Sequence, residues 1–550
     1  MTTNNAPILL MIAPLFGAGI CLLEKAFPRI SLAKTVSVIA LAGSLLLLIP
    51  FFPQAEQTRM VYVVGGWHPS VGIQQVFDGM AWLSCAMILT VALLVLLFAF
   101  AEAKYDATFY FLHLISVGGM VGVVMAADVF NLFVCLEILG LAAYIQIAYP
   151  QKGRALLASF HYLLVSSFGM MFALLGILIL YQQTGTLSLF DAGAYCAAHP
   201  EAVSPSRIAV GCVALTAGIG VRSAFLPFHA WLPRAHANAP HPVSAMLSGL
   251  VLKVSFIAIW RITQAFHQIA LRPTWLWIGA LTAVFGVVMA LAQTDCKVLL
   301  AWHSISQIGY IVASFGVGTP LGMTASFLHM INHALFKSLL FLCVGSVIHL
   351  TGERDLKRLG GLGRVFPWLT VAFVIGAASI AGVPPFNGFV SKQLMSASLQ
   401  AVPLASAALW LAGIGTMASF LKLSAIFRPR RAHIETPIRL PNLPYAAYAA
   451  LLGLSALCVL SGAFGGSCAN RAAELLFGSR LTEPLRLYSG STIFHALMSL
   501  LFGIALFFSV TSPRGQAAAA RVRAVRVGTN ASLVLLIAGF VFFALVTLAV

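Results

Sequence analysis

Ten ionisable side chains fall inside long apolar stretches of this sequence: Glu137, Arg222, Lys253, Lys337, Lys392 and Lys422, with His161, His303, His329 and His333. A charge at the centre of a bilayer costs a few kcal/mol, so each needs a partner or a task. His329, His333 and Lys337 are spaced i, i+4, i+8 and share one helix face, where imidazoles and an amine can pass a proton along with bridging water. Lys253, Lys337 and Lys392 sit mid-helix, too deep for their heads to reach an interface. Lys422, about five residues from a helix end, reads as snorkelling outward. His161 and His303 suit either a packed or a proton-carrying role. His229, His236 and His241 have no fixed ligand spacing and no neighbouring carboxylate, so no metal site is expected.

Two elements must position these groups. From Arg222 to Lys253 an apolar helix is interrupted at Pro227 and Pro233, and from Ala381 to Lys392 another is interrupted at Pro384 and Pro385. Proline removes a backbone donor, so freed carbonyls must find partners in protein or water rather than lipid. Interrupted helices carrying buried ionisable groups are the usual construction of an ion pathway.

The composition sets the medium. With 550 residues, 60% hydrophobic and 9% charged, and a mean hydropathy of +0.96, the chain is not a soluble globular protein. It reads as an all-α polytopic membrane protein with about sixteen spans. Strands of a β-barrel would alternate in polarity, and these runs do not. The net charge of +17 is spread over short loops, which argues for topology and against nucleic acid. The nine Cys are scattered without a C-x-x-C pair and read as packing residues. Met1 to Ala6 lacks a basic n-region, so no cleaved signal is expected.

In chain order, spans are expected at about 7–23, 30–49, 80–100, 109–127, 129–149 and 155–181. The interrupted seventh and the eighth follow, then about 275–293, a tenth ending near 317, 321–350, a broken twelfth from 367 through Lys392, 403–427, 445–464, 493–510 and 531–550. Val61 to Trp67 reads as a small hairpin with Trp67 as an interfacial anchor. The stretch 182–205 reads as a polar loop, and Arg514, Arg521, Arg523 and Arg526 as a basic linker. With the N-terminus outside, basic turns after the first, fifth, eleventh, thirteenth (Arg428, Arg430, Arg431) and fifteenth spans share the cytoplasmic face, about 20 Lys and Arg against about 6. Both termini then lie outside the inner (cytoplasmic) membrane. The broken spans are five apart, an odd number, which sets equivalent five-helix units in opposite orientations. Four regions follow: 1–106, an inverted repeat at 107–261, its counterpart at 274–427, and 428–550.

Several segments together resemble the antiporter-like subunits of respiratory complex I, of multisubunit sodium/proton antiporters and of membrane-bound hydrogenase or formate hydrogenlyase complexes. They are Asn131-Leu132-Phe133-Val134 with Glu137; Pro227-Phe228-His229-Ala230-Trp231-Leu232-Pro233; Leu252-Lys253; Ser304-Ile305-Ser306-Gln307-Ile308-Gly309-Tyr310; His333-Ala334-Leu335-Phe336-Lys337; and Gly382-Val383-Pro384-Pro385 with Lys392. The resemblance implies two half-channels joined across the membrane middle by lysines, histidines and water. By position, Glu137 matches the family glutamate, Lys253 a bridging lysine, His329, His333 and Lys337 a relay, and Lys392 an exit residue. Arg222 stands where the family usually has a lysine, and Arg234 where an acid is common. Arginine stays charged, so Arg222 holds Glu137 ionised and cannot act as a switchable relay member.

The resemblance implies a proton- or sodium-translocating subunit of a redox-driven complex of the NADH:quinone oxidoreductase or hydrogenase type. No catalytic residue, cofactor or metal is expected in this chain; other membrane subunits, the lipid bilayer and protons or Na+ are the partners. A stand-alone cation/proton antiporter subunit, the membrane half of an inorganic-carbon uptake system and a non-transporting scaffold stay open as alternatives.

Overall fold

The computed structural model describes residues 6–27, 29–57, 59–68, 70, 72–102, 104–429, 442–481, 487–525 and 528–549. Arg430, Arg431, Arg526 and Val550 lie outside the described residues.

The elements in order are α1 (Leu9–Ala26), α2 (Ala33–Leu48), β1 (Met60–Val63), β2 (Gln74–Phe77), α3 (Gly79–Ala99), α4 (Ala107–Met125), α5 (Val129–Ala148) and α6 (Gly153–Thr184). Next come α7 (Leu189–Ala198), α8 (Pro205–Ser223), α9 (Leu232–Asn238), α10 (His241–Met246), α11 (Leu252–Ala265), α12 (Arg272–Ala292), α13 (Cys296–Gly316), α14 (Pro320–Thr351), α15 (Pro367–Ala381) and α16 (Asn387–Ser398). The chain closes with α17 (Pro403–Leu423), α18 (Tyr445–Ala463), α19 (Gly465–Phe477), α20 (Gly490–Thr511), α21 (Pro513–Ala524) and α22 (Thr529–Ala549). Fourteen helices among the described residues are long and apolar enough to cross a membrane. The two interrupted segments, α8 with α9 and α15 with α16, bring the spans to the expected sixteen. The chain is an all-α polytopic membrane protein.

Acids are scarce here, and four of the six Asp cap span starts. Asp78 accepts from the Ala81 N–H at 2.9 Å, Asp106 from Phe109, Asp128 from Asn131 at 2.6 Å and Asp295 from Lys297 and Val298. Each satisfies donors that lipid cannot, and a negative charge suits the helix N-terminus. Asp78 also receives two hydrogen bonds from the buried Arg261, whose guanidinium donates to Val124 O as well, tying α3, α4 and α11 together.

Contacts between connections test the alternation of spans. Those after odd spans meet one another. Lys25 lies 3.8 Å from Asp106, Asp106 accepts from the Tyr149 hydroxyl at 2.7 Å, Lys297 donates to Ala239 O at 2.7 Å, Cys296 N donates to Arg354 O and Gly361 N to Arg428 O. Arg523 donates to Ala292 O, bringing in the connection after α20. Even connections meet likewise: Leu187 N donates to Ser70 O, Gln74 N to Asp128, and Arg471 pairs with Glu56 at 2.7 Å. A hairpin forms in this connection but is wider than Val61–Trp67: that stretch supplies only β1 and the start of the turn, and the second strand is β2, antiparallel with Met60 opposite Phe77, while Trp67 is 70% exposed.

Two expectations need correction. The stretch 182–205 is not simply a loop: it carries α7, capped by Ser188. The basic linker is helical as α21, capped by Ser512, and α19 adds a further helix after α18. All three are short, at 10, 13 and 12 residues, too short to span the hydrocarbon, so composition marks them as connections between spans.

The last helices cover the breaks. In α18, Gly462 lies so close to the second break that a Cβ there would fall 2.2 Å from Pro385 O. α22 lies against α8 and α6, and its Phe543 stacks on Phe228 in the first break at 6.1 Å.

Candidate functional site

α8 ends at Ser223, where Ala224 turns into the left-handed region at φ 55°; α15 ends at Ala381, where Gly382 does so at φ 78°. A non-glycine residue in that region is held by its surroundings. Both ends leave carbonyls without their i+4 helical donors, and side chains of the protein supply partners. The Trp231 indole N–H donates to Val221 O at 2.7 Å, and the Lys392 amine donates to Ile380 O at 2.7 Å. The Leu226 N–H in the first break donates to the Thr282 hydroxyl at 3.1 Å.

The seven residues named from sequence fall into two groups. One is the ion pair. Arg222 is fully buried; its guanidinium meets Glu137 Oε1 at 2.7 Å, Leu136 O at 2.5 Å and the Tyr144 hydroxyl at 3.3 Å. Glu137 is 38% exposed on α5, among exposed Val134, Ile138 and Leu141. Gly140 makes the pair possible, because a Cβ there would stand 2.1 Å from the guanidinium. Tyr144 packs edge-on against Tyr162, which stacks on Trp231 at 3.7 Å, so the aromatic residue serving the break also walls the pair.

The second group is the interior line of bases. Lys253, His329, His333 and Lys337 are fully buried, and Lys392 is partly buried. His329 bonds the Ser391 hydroxyl at 2.8 Å and Gln307 Oε1 at 3.1 Å, bridging α14 to α16 and α13. His333 lies parallel to it, ring centroids 6.2 Å apart. The Lys392 amine also sits 5.1 Å from the Tyr310 ring, whose centroid is 6.1 Å from His329. Lys337 lies 5.6 Å from the Phe341 ring and has no hydrogen-bond partner among the described residues. Lys253 donates to Ser248 O, a carbonyl in the single π-turn Leu247–Val251 that precedes it. A π-turn offsets the backbone bonding and leaves an acceptor facing inward.

None of the three lysines has a carboxylate within 4 Å among the described residues, unlike Arg222. A buried ammonium without a counter-charge is strongly disfavoured, so these positions favour groups that can release a proton, as lysine does and arginine does not. Lys392 borders a cavity of about 640 Å³ between the second break, α17 and α20, lined also by Tyr310, Gln400, Trp410 and His495. His303 is buried against Phe420, and His161 is buried on α6; neither ring has a hydrogen-bond partner among the described residues. Lys422 donates to Leu291 O at 2.8 Å and to Gln293 O, at the odd-connection end of α12. No group of three or more His, Cys, Asp or Glu able to hold a metal occurs among the described residues.

Sequence reasoning did not single out Gly140, Tyr144, Tyr162, Ser391 or Lys297. Lys297 follows the α13 cap in the sequence like a turn residue, yet it is only 2% exposed because the chain around Ala239 folds over it.

The family described as NADH:quinone oxidoreductase/Mrp antiporter, transmembrane, matches residues 126–422, from the start of α5 to the end of α17. NADH-quinone oxidoreductase subunit N of Desulforudis audaxviator is 33% identical over 406 residues, 71% of this chain and 79% of that protein. A Na(+)/H(+) antiporter protein of Alkalihalophilus pseudofirmus is 32% identical over 474 residues, 82% of this chain and 94% of that protein. A chain of the membrane-bound sulfane sulfur reductase, an archaeal respiratory membrane complex, superposes with a TM-score of 0.79 at 27% identity, covering 91% of this chain and all of that one. With the broken helices and the buried bases inside the matched region, this chain belongs to the NADH:quinone oxidoreductase/Mrp antiporter transmembrane family.

Proposed function

We propose that the chain translocates protons, or Na+, as the antiporter-like subunit of a multisubunit, redox-driven membrane complex of the NADH:quinone oxidoreductase or hydrogenase type. The observation that carries this reading is the interior line Lys253, His333, Lys337, His329 and Lys392, titratable throughout, without carboxylates, and ending at a cavity beside the second break. In this reading Lys253 bridges two half-channels, His329, His333 and Lys337 relay the proton, and Lys392 is its exit. Glu137 and Arg222 form a fixed electrostatic element. Residues 107–261 and 274–427 act as inverted repeats, a reading supported by the matching left-handed turns and capped carbonyls of the two breaks. The odd connections face the cytoplasm and both termini lie outside.

Other membrane subunits complete the assembly. Glu137 presents a carboxylate within an apolar face of α5, where exposure to lipid is unfavourable and a partner subunit would cover it. A stand-alone cation/proton antiporter is the second reading, favoured by the 94% coverage of the Na(+)/H(+) antiporter relative. The two differ in whether redox subunits co-purify with the chain. Lys392→Ala should leave the complex assembled and reduce ion flux in proteoliposomes about 100-fold, the scale of losing one proton-transfer group. Normal flux with that variant would remove Lys392 from the path.

A further inference from the structure

A second cavity, of about 680 Å³, opens on the face of the odd connections, remote from Lys392 in the sequence and lined by other elements. Five of its lining residues are basic, namely Lys104, Lys152, Arg154, Lys297 and Arg354, and none is acidic. Glu102 pairs with Lys104, and Asp295 pairs with Arg354 at 2.8 Å. Lys152, Arg154 and Lys297 have no carboxylate within 4 Å among the described residues. Lys297 is 2% exposed, and among the described residues its amine donates to Ala239 O alone, which leaves ammonium donors without acceptors. Lys152 to Ala155 are also the N-cap and first residues of α6, 32 residues long, whose N-terminus no side chain caps.

We propose that this cavity binds a phosphate group, held by Arg154, Lys152 and Lys297 at the α6 N-terminus. A guanidinium fork, ammonium donors and free helix N–H groups match the several oxygens of a phosphate, and the excess positive charge disfavours a cation there. Positive connections alone would explain scattered surface lysines. They do not explain a buried lysine, an uncapped helix start and an acid-free lining converging on one cavity. The group is either the headgroup of an anionic phospholipid or a free phosphate. This inference is independent of the transport reading and would stand if that reading failed.

The test uses the full chain in two settings. In nanodiscs of phosphatidylcholine with phosphatidylglycerol, retained phosphatidylglycerol is counted by native mass spectrometry. In nanodiscs of phosphatidylcholine alone, binding of inorganic phosphate is followed by calorimetric titration. The expected result is saturable binding in at least one setting, weakened about tenfold or more in Lys152→Gln/Arg154→Gln, which removes two charged donors, and unchanged in Lys357→Gln, an exposed residue of the same face outside the cavity. Binding of phosphatidylglycerol alone identifies a headgroup site, and binding of inorganic phosphate a free-anion site. No saturable binding in either setting, binding that the double variant leaves intact, or an equal loss in Lys357→Gln overturns the proposal. Both substituted residues are exposed, so the double variant is expected to fold.

Discussion

At the scale of single residues, the chain separates a permanent charge from removable ones. Arg222 has an acid, a carbonyl and a tyrosine around it; the buried lysines have carbonyls, rings and histidines. If Arg222 serves to hold Glu137 ionised, Arg222→Lys should keep assembly and at least partial flux, since the positive charge is retained. Arg222→Ala should be worse. Breaking a buried pair costs about 3–5 kcal/mol, and the lower end applies because Glu137 is 38% exposed. Adding Glu137→Gln to Arg222→Ala should recover part of the loss, because no unpaired charge then remains. Complex yield and flux measured on the three variants check this; wild-type behaviour of Arg222→Ala would mean that the pair is dispensable. The sequence pointed to this pair by its apolar surroundings, but not to Gly140 or Tyr144. Those depend on contacts with Arg222, 82 and 78 positions away in the chain, which no local pattern encodes.

Among the elements, the breaks were legible because proline has a backbone consequence wherever it stands in an apolar helix. The face of α14 was legible too, since i, i+4, i+8 spacing fixes direction. The helices α7, α19 and α21 were hidden, because each is short and half polar. The covering of the breaks by α18 and α22 was also hidden, being tertiary. That covering is testable: Gly462→Ala sets a Cβ against the Pro385 carbonyl and should destabilise the protein by about 1–3 kcal/mol, read as a lowered unfolding temperature in detergent. The Asp78–Arg261 clasp makes a second test. Burial alone would raise the Asp78 carboxyl, but Arg261 and the Ala81 N–H hold it below the ordinary value. Its contribution is therefore present above the ordinary carboxyl range, about pH 4, and is lost as pH falls through the lowered value. Asp78→Asn should remove that contribution at neutral pH, cost about 3–5 kcal/mol and flatten the acid side of the stability profile; an unchanged profile would show that the clasp is not structural.

At the scale of the whole molecule, the alternation of spans read from basic loops agrees with the meeting of odd connections at one end and even connections at the other. Orientation is a separate matter. In intact cells, a membrane-impermeant maleimide should label Trp67→Cys on the even face and not Lys357→Cys on the odd face; the native cysteines among the described residues are buried except the partly buried Cys468. The reverse pattern would invert the topology. The proposed transport requires the interior lysines to act as proton carriers rather than as fixed charges, and one substitution separates the two. Lys337→Arg keeps a cation at the same place on α14 but cannot release its proton. Proton flux measured in proteoliposomes with assembled complex should fall by about 100-fold or more, as for loss of a proton-transfer group, and should match Lys337→Ala. Flux near wild type in Lys337→Arg would contradict a proton relay through this line of residues.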